Sequence, residues 1–92
     1  MSWVLYRTDT FLRTARKFLK RHPDLRPELA ALLAQLEQDP FAPRLSLHPL
    51  HGPHAGKHAV SFTYSLRVVL SLKVEDRKVF LLDVGSHDEV YR

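Results

Sequence analysis

Between Val60 and Val84 the chain places apolar residues at one even number after another: Val60, Phe62, Tyr64, Leu66, Val68, Leu70, Leu72, Val74, Phe80, Leu82 and Val84. Successive side chains of a strand point to opposite faces, so this parity gives each strand in the segment one face for a core. The odd-numbered face carries Ser61, Thr63, Arg67, Val69, Ser71, Lys73 and Asp83 and is the more polar of the two. A sheet with one face covered and one open to solvent or a ligand is expected. For the last two strands to keep their parity in a hairpin, the loop must hold an odd number of residues, most simply Glu75, Asp76 and Arg77. Val74 then faces Lys78, Val69 faces Asp83, and Arg67 faces Gly85. A guanidinium beside a residue with no side chain leaves a notch at the end of the sheet, toward the tail "VGSHDEVYR".

The segments before this one read as helices. Trp3 to Tyr6 are strand-prone, and Thr8, Asp9 and Thr10 then offer oxygens that can cap the amides of a following helix. From Phe11, the residues Phe11, Ala15, Phe18 and Leu19 fall on one helical face, and Arg13, Arg16, Lys17, Lys20 and Arg21 fall largely on the other. "HPD" interrupts this helix. Pro23 and Pro27 are tolerable only in the first turn of a second helix, which runs to about Gln38 with Leu25, Leu29, Leu32, Leu33 and Leu36 as its apolar stripe. "DPFAP" ends it, and "RLSLHPLHGPHAGKH" reads as an irregular connection. The expected fold is α+β, a single small domain over residues 1–92: an N-terminal strand and an α-hairpin packed on an antiparallel sheet in the order β-α-α-β-β-β. The tail leaves room for a short C-terminal helical turn.

Composition narrows the partners. The chain has no cysteine, so neither disulfides nor thiolate metal sites supplement the core, and a reducing compartment fits. Nothing approaches the roughly 20 apolar residues that span a bilayer, and "MSWVLYRTDTF" lacks a basic region followed by an apolar run, so a soluble cytoplasmic protein without a membrane partner is expected. The net charge of +4, with six histidines in reserve, favours an anionic partner.

"DPFAPRLSLHPLHGPHAGKHAVSFTYSLRVVLSL", followed by "VFLLDVGSHDEVYR", resembles the RelE/ParE toxin superfamily of bacterial type II toxin-antitoxin systems, and within it the RelE/StbE and YafQ-like members. The resemblance covers nearly the whole chain, and "LHGPHAG", "YSLR" and "GSHDEVY" carry most of it. It implies a ribosome-dependent mRNA endoribonuclease that acts without a metal or other cofactor until a cognate antitoxin wraps around it. Partners would be the antitoxin, the ribosome and mRNA, with operator DNA reached only through the antitoxin complex. Members of the superfamily turn the RNA 2′-hydroxyl onto the adjacent phosphate. That reaction needs a base, a cation for the phosphate and an acid for the departing 5′-oxygen.

Arg67 matches the family's catalytic arginine, and its permanent charge and paired donors suit a phosphate; the competing role is an ion pair with Asp83. His87 matches the histidine of the YafQ-like members, where many RelE members carry arginine, and would move protons; otherwise it is a cap or a solvated terminal residue. Tyr91 matches the family's C-terminal aromatic, which would stack on a base or orient the phosphate, unless it only packs the tail. Asp88 and Glu89 would repel RNA if turned inward. His48, His51, His54 and His58 have zinc-like spacing in part, but Pro49 and Pro53 break any helix that would align them and no cysteine assists. Beside Lys57, His51 and His54 suit phosphate contacts, and His51, His54 or His58 could supply the second proton-transfer group, with His58 favoured because it adjoins a strand. The basic helix face, Arg13, Arg16, Lys17 and Lys20, would meet ribosomal RNA. Two other readings stay open: a noncatalytic inhibitor of DNA gyrase of the ParE kind, and a degenerate toxin that only binds antitoxin and regulates its operon.

Overall fold

Thr8 joins the first strand to the first helix and ties both to the far end of the chain. The structure is a computed structural model, and it describes residues 2–61, 66–86 and 90. β1 (Val4–Arg7) leads into α1 (Asp9–Arg21), and the Thr8 hydroxyl accepts from the Phe11 amide at 3.2 Å while donating to the Leu81 carbonyl at 2.7 Å. The Thr8 amide also donates to Leu81, at 3.2 Å. One side chain thus caps a helix and fastens it to the sheet.

α1 buries Phe11 and Phe18 and ends where the His22 amide meets the Phe18 carbonyl. Pro23 falls in a separate single turn of 3₁₀-helix, Pro23–Leu25, rather than in the second helix itself; α2 (Arg26–Gln38) holds Pro27 in its first turn. Leu29, Leu32 and Leu36 are buried along it, with Leu25 and Leu33 beside them. The Asp39 carboxylate then accepts from the Phe41 amide at 2.9 Å, stopping the helix at "DPFAP".

Five strands make one sheet, in the order β1-β5-β4-β3-β2: β2 (His48–Pro49), β3 (His58–Ser61), β4 (Arg67–Lys73) and β5 (Lys78–Gly85) join β1. The expected antiparallel meander is present as β3, β4 and β5. Two features go beyond it. β1 joins parallel to β5, which makes the sheet mixed, and the connection read as irregular contributes the two-residue edge strand β2. Both helices pack on one face, where Phe11, Phe18, Leu29, Leu32 and Leu36 meet Val60, Leu66, Val68, Leu70, Val79, Leu81 and Val84. Leu45, from a turn after α2, completes this core.

The even-number rule fails in β5, and the ladder shows why. The loop between β4 and β5 holds four residues, Val74 to Arg77, rather than three, and closes with Arg77 in the left-handed region at φ 54°. An even loop moves the pairing by one, so Lys73 faces Lys78 and Leu70 faces Leu81. Val79 and Leu81 therefore enter the core, Phe80 and Leu82 are only partly buried, and Val74 is 55% exposed. A β-bulge beyond Leu81 then inserts Leu82 without an opposing residue, which restores the expected partners: Val69 with Asp83, Val68 with Val84 and Arg67 with Gly85. The longer loop and the bulge cancel at the end of the sheet where the arginine sits. Phe62, Thr63 and Tyr64 lie outside the described residues.

Candidate active site

Leu66 and Val68 both point into the core, so Arg67 between them projects from the face without helices. It is half-buried, with Ser61 of β3 on one side and Gly85 of β5 on the other. Its Nη1 lies 3.4 Å from the Leu66 carbonyl, a long contact. Gly85 is itself buried, so other groups close over the spot that its missing side chain leaves. The expected notch is in this sense a covered one.

Asp83 shares the Arg67 face through its pairing with Val69. Its carboxylate accepts from the following amide, Val84, at 2.8 Å, and the Thr14 hydroxyl of α1 approaches the same amide at 3.3 Å. Beside the bulge, these two side chains serve an amide next to the irregular part of the ladder.

The face is not open throughout. Ala59 and Val69 are register partners on it, yet both are buried, and Val90 is buried as well; all three stand apart from the main core. The Val90 amide donates to the Ser86 carbonyl at 3.1 Å, the spacing of one helical turn. His87 and Tyr91, together with Asp88 and Glu89, lie outside the described residues.

The loop histidines are divided by the sheet. The Leu50 amide donates to the Lys57 carbonyl at 2.9 Å, which extends the pairing of β2 with β3 and encloses residues 51–56 as a loop, with Gly52 at φ 64° and Gly56 at φ 90°. Both angles fall in the region that favours glycine. Alternation carried back from Ala59 and Ser61 puts Lys57 on the Arg67 face and His58 on the other, in register with Leu70 of the core. The His58 Nδ1 is buried and has no hydrogen-bond partner among the described residues. The favoured loop histidine therefore starts from the wrong side of the sheet to act beside Arg67. His51 is exposed and His54 half-buried in the intervening turn.

His48 is not among the site residues expected from sequence, yet it lies on the Arg67 face as the partner of Ala59. Its Nδ1 is 2.8 Å from the Ser46 carbonyl, an acceptor only, so Nδ1 carries the proton and Nε2 of the neutral ring is left to accept one. The signal that could have found it is a two-residue strand ending at Pro49, too short to register as periodicity.

Arg13, Arg16, Lys17 and Lys20 are all exposed on α1. That helix covers β5 from the core side, so these four cations form a second surface on the layer opposite Arg67. Among the described residues no group of three or more histidines, cysteines or carboxylates is placed to hold a metal ion, and no helix is long and apolar enough to cross a membrane.

An α-hairpin on a five-stranded mixed sheet, with an arginine on a central strand facing away from the helices, defines the class of fold. No protein-family model and no curated protein matches the sequence. Solved structures do. YafQ from Escherichia coli BL21(DE3) superposes with a TM-score of 0.81 at 17% identity, over 98% of this chain and 99% of that one. The toxin-antitoxin complex RelBE2 from Mycobacterium tuberculosis gives 0.67 at 21% identity over 95% and 100%, and a metal-bound toxin from Helicobacter pylori gives 0.72 at 23% over 99% and 100%. The chain shares the fold of these structures over 95% or more of its length.

Proposed function

We propose that this chain is the toxin of a type II toxin-antitoxin pair, belongs to the RelE/YafQ group whose fold it shares, and cleaves mRNA on the ribosome. The observation that carries this reading is Arg67, a permanent cation held opposite a glycine on the sheet face away from the helices, in a fold shared over 98% of the chain with YafQ. Arg67 binds the scissile phosphate and stabilises the charge that builds on it during attack by the 2′-oxygen. His87 exchanges a proton with the reacting oxygens, and Tyr91 positions the RNA. With His58 turned to the core side, the second proton-transfer role passes to His51 or His54, and Lys57 on the Arg67 face adds a phosphate contact. No metal enters this scheme. An antitoxin is the protein partner, as in the RelBE2 complex, and mRNA and the ribosome are the targets, which places the action in the cytoplasm.

The test is induced expression of the wild type and of Arg67→Ala, with growth, mRNA integrity on translating ribosomes and DNA breaks scored together. Wild type halts growth and leaves truncated mRNA, whereas Arg67→Ala does neither. Intact mRNA with accumulating DNA breaks would instead mark a gyrase inhibitor of the ParE kind. A wild type that binds its antitoxin and harms nothing is a degenerate toxin.

A further inference from the structure

The face that carries Arg67 continues into an aromatic and cationic patch that the proposed reaction does not use. Tyr6 of β1 and Phe80 of β5 are register partners, and their rings are stacked with centroids 5.1 Å apart and planes 19° from parallel. The Lys78 Nζ lies over the Tyr6 ring, 5.7 Å from its centre. Leu5, Val79 and Leu81 face the core, so alternation turns Tyr6, Lys78 and Phe80 to the side of Arg67. Ser71, the partner of Phe80 on β4, is on that side too. Tyr6 is 41% exposed at the sheet edge.

Charge decides what such a patch fits. Lys73 and Lys78 are directly opposed on this face, and like charges in that position cost stability. Asp76 takes up Lys73 at 3.0 Å, while Lys78 is placed on the Tyr6 ring instead. Cations thus stand at one end of the face as Lys73 and Lys78 and at the other as Arg67; between them lie the stacked rings and Asp83, whose carboxylate accepts from the Val84 amide. An apolar protein segment has no use for lysines at that place. A single strand of nucleic acid does, because its phosphates take the cations and its bases take the rings. Along β4, Ser71 and Arg67 are separated by on the order of 13 Å at about 3.3 Å per residue, a reach of very few nucleotides.

We propose that Tyr6, Phe80 and Lys78 form a base-stacking subsite for single-stranded RNA that holds nucleotides flanking the phosphate at Arg67. The position of that RNA in a reaction rests on the ribonuclease function proposed above, but its binding is measurable without any cleavage. A short fluorescein-labelled single-stranded RNA, followed by fluorescence anisotropy at low salt, is titrated with the full chain and with Tyr6→Phe, Tyr6→Leu and Lys78→Met. The same RNA with abasic sugars is the control, and circular dichroism melts verify folding.

Tyr6→Leu weakens binding by about fivefold or more, Tyr6→Phe does not, and wild type binds abasic RNA about as weakly as Tyr6→Leu binds the intact strand. Equal affinity of wild type for intact and abasic RNA overturns the subsite, and this comparison stands even where Tyr6→Leu fails to fold. A Tyr6→Leu chain that keeps RNA but loses its antitoxin also overturns it, by assigning the patch to a protein partner. A wild type that binds RNA through Tyr6 yet leaves ribosomal mRNA intact supports the subsite and removes the ribonuclease function.

Discussion

Arg67 faces Gly85 across β4 and β5, and it does so only because the bulge opposite Val69 and Leu70 corrects the register of the hairpin. Had the four-residue loop set the pairing throughout, Arg67, Val68 and Val69 would each meet a partner one position earlier in β5. Arg67 would then oppose Val84, whose side chain belongs to the core. Register partners project to the same face, and Val84 belongs to the helix side while Arg67 belongs to the other, so the extra residue reconciles them.

The phosphate role proposed for Arg67 depends on shape as well as charge. Arg67→Ala is expected to lower mRNA cleavage by about 10²- to 10³-fold, the scale for removing one preorganised donor to a developing charge. Arg67→Lys keeps the charge but not the planar fork, and a loss of roughly tenfold or more is expected from it. Cleavage of mRNA on purified translating ribosomes, with a thermal melt of each variant, measures both. Full activity in Arg67→Lys would mean that only a point charge is needed.

Leu82 has no partner on β4, so deleting it leaves a regular ladder with every flanking pair intact. The deletion variant should fold cooperatively. Because a bulge bends its strand and increases the local twist, the direction in which β5 delivers Gly85 and the tail should change, and cleavage should fall by about tenfold or more. A melt and the ribosomal cleavage assay test the two halves separately. Unchanged cleavage would make the bulge a feature of folding alone.

The bulge also marks where the sequence stops being legible. The helix pair is readable because Leu29, Leu32 and Leu36 recur at helical spacing, and Pro27 with the "DPFAP" stop leaves little choice of ends. Parity places Arg67 outside and opposite Gly85, although by way of a loop one residue too short. What parity cannot weigh is that Arg77 accepts a left-handed conformation, which makes a four-residue loop available. From there Val79 and Leu81 replace Phe80 and Leu82 in the core. The same limit governs the histidines, because adjacency to a strand nominates His58 but only the pairing of β3 with β4 shows that it shares a face with Leu70.

His58 supplies a direct check on that assignment. Its Nδ1 is buried without a partner among the described residues, and an unmade hydrogen bond of this kind costs about 1–3 kcal/mol. His58→Leu should therefore leave stability unchanged or raise it by about 1 kcal/mol, with cleavage retained, while His51→Ala or His54→Ala lowers cleavage. Denaturant unfolding and the cleavage assay read the two effects. A stable His58→Leu chain that no longer cuts mRNA would return the proton-transfer role to His58.

Thr8→Val removes the cap of α1 and the hydroxyl bond to Leu81 together, while keeping the shape of the side chain. The loss should be about 1–2 kcal/mol, and about 4–8 °C in melting temperature for each kcal/mol in a domain of this size. Because Leu81 adjoins the bulge, hydrogen exchange should also accelerate at Val84 and Gly85. A loss confined to the amides of α1 would show that the tether to the sheet adds little.

Arg13, Arg16, Lys17 and Lys20 form a cationic surface on the layer opposite Arg67, so two faces of the molecule should contribute separately to ribosome binding. Replacing all four by glutamine should weaken binding at low salt and flatten its salt dependence by roughly 0.7 to 0.9 in logarithmic slope for each phosphate that is no longer neutralised. Arg67→Gln should lower cleavage with little change in that slope, since it neutralises at most one phosphate. Binding to ribosomes across a salt series, measured alongside cleavage, separates the two. If the fourfold variant keeps the full slope, the basic face of α1 meets only water.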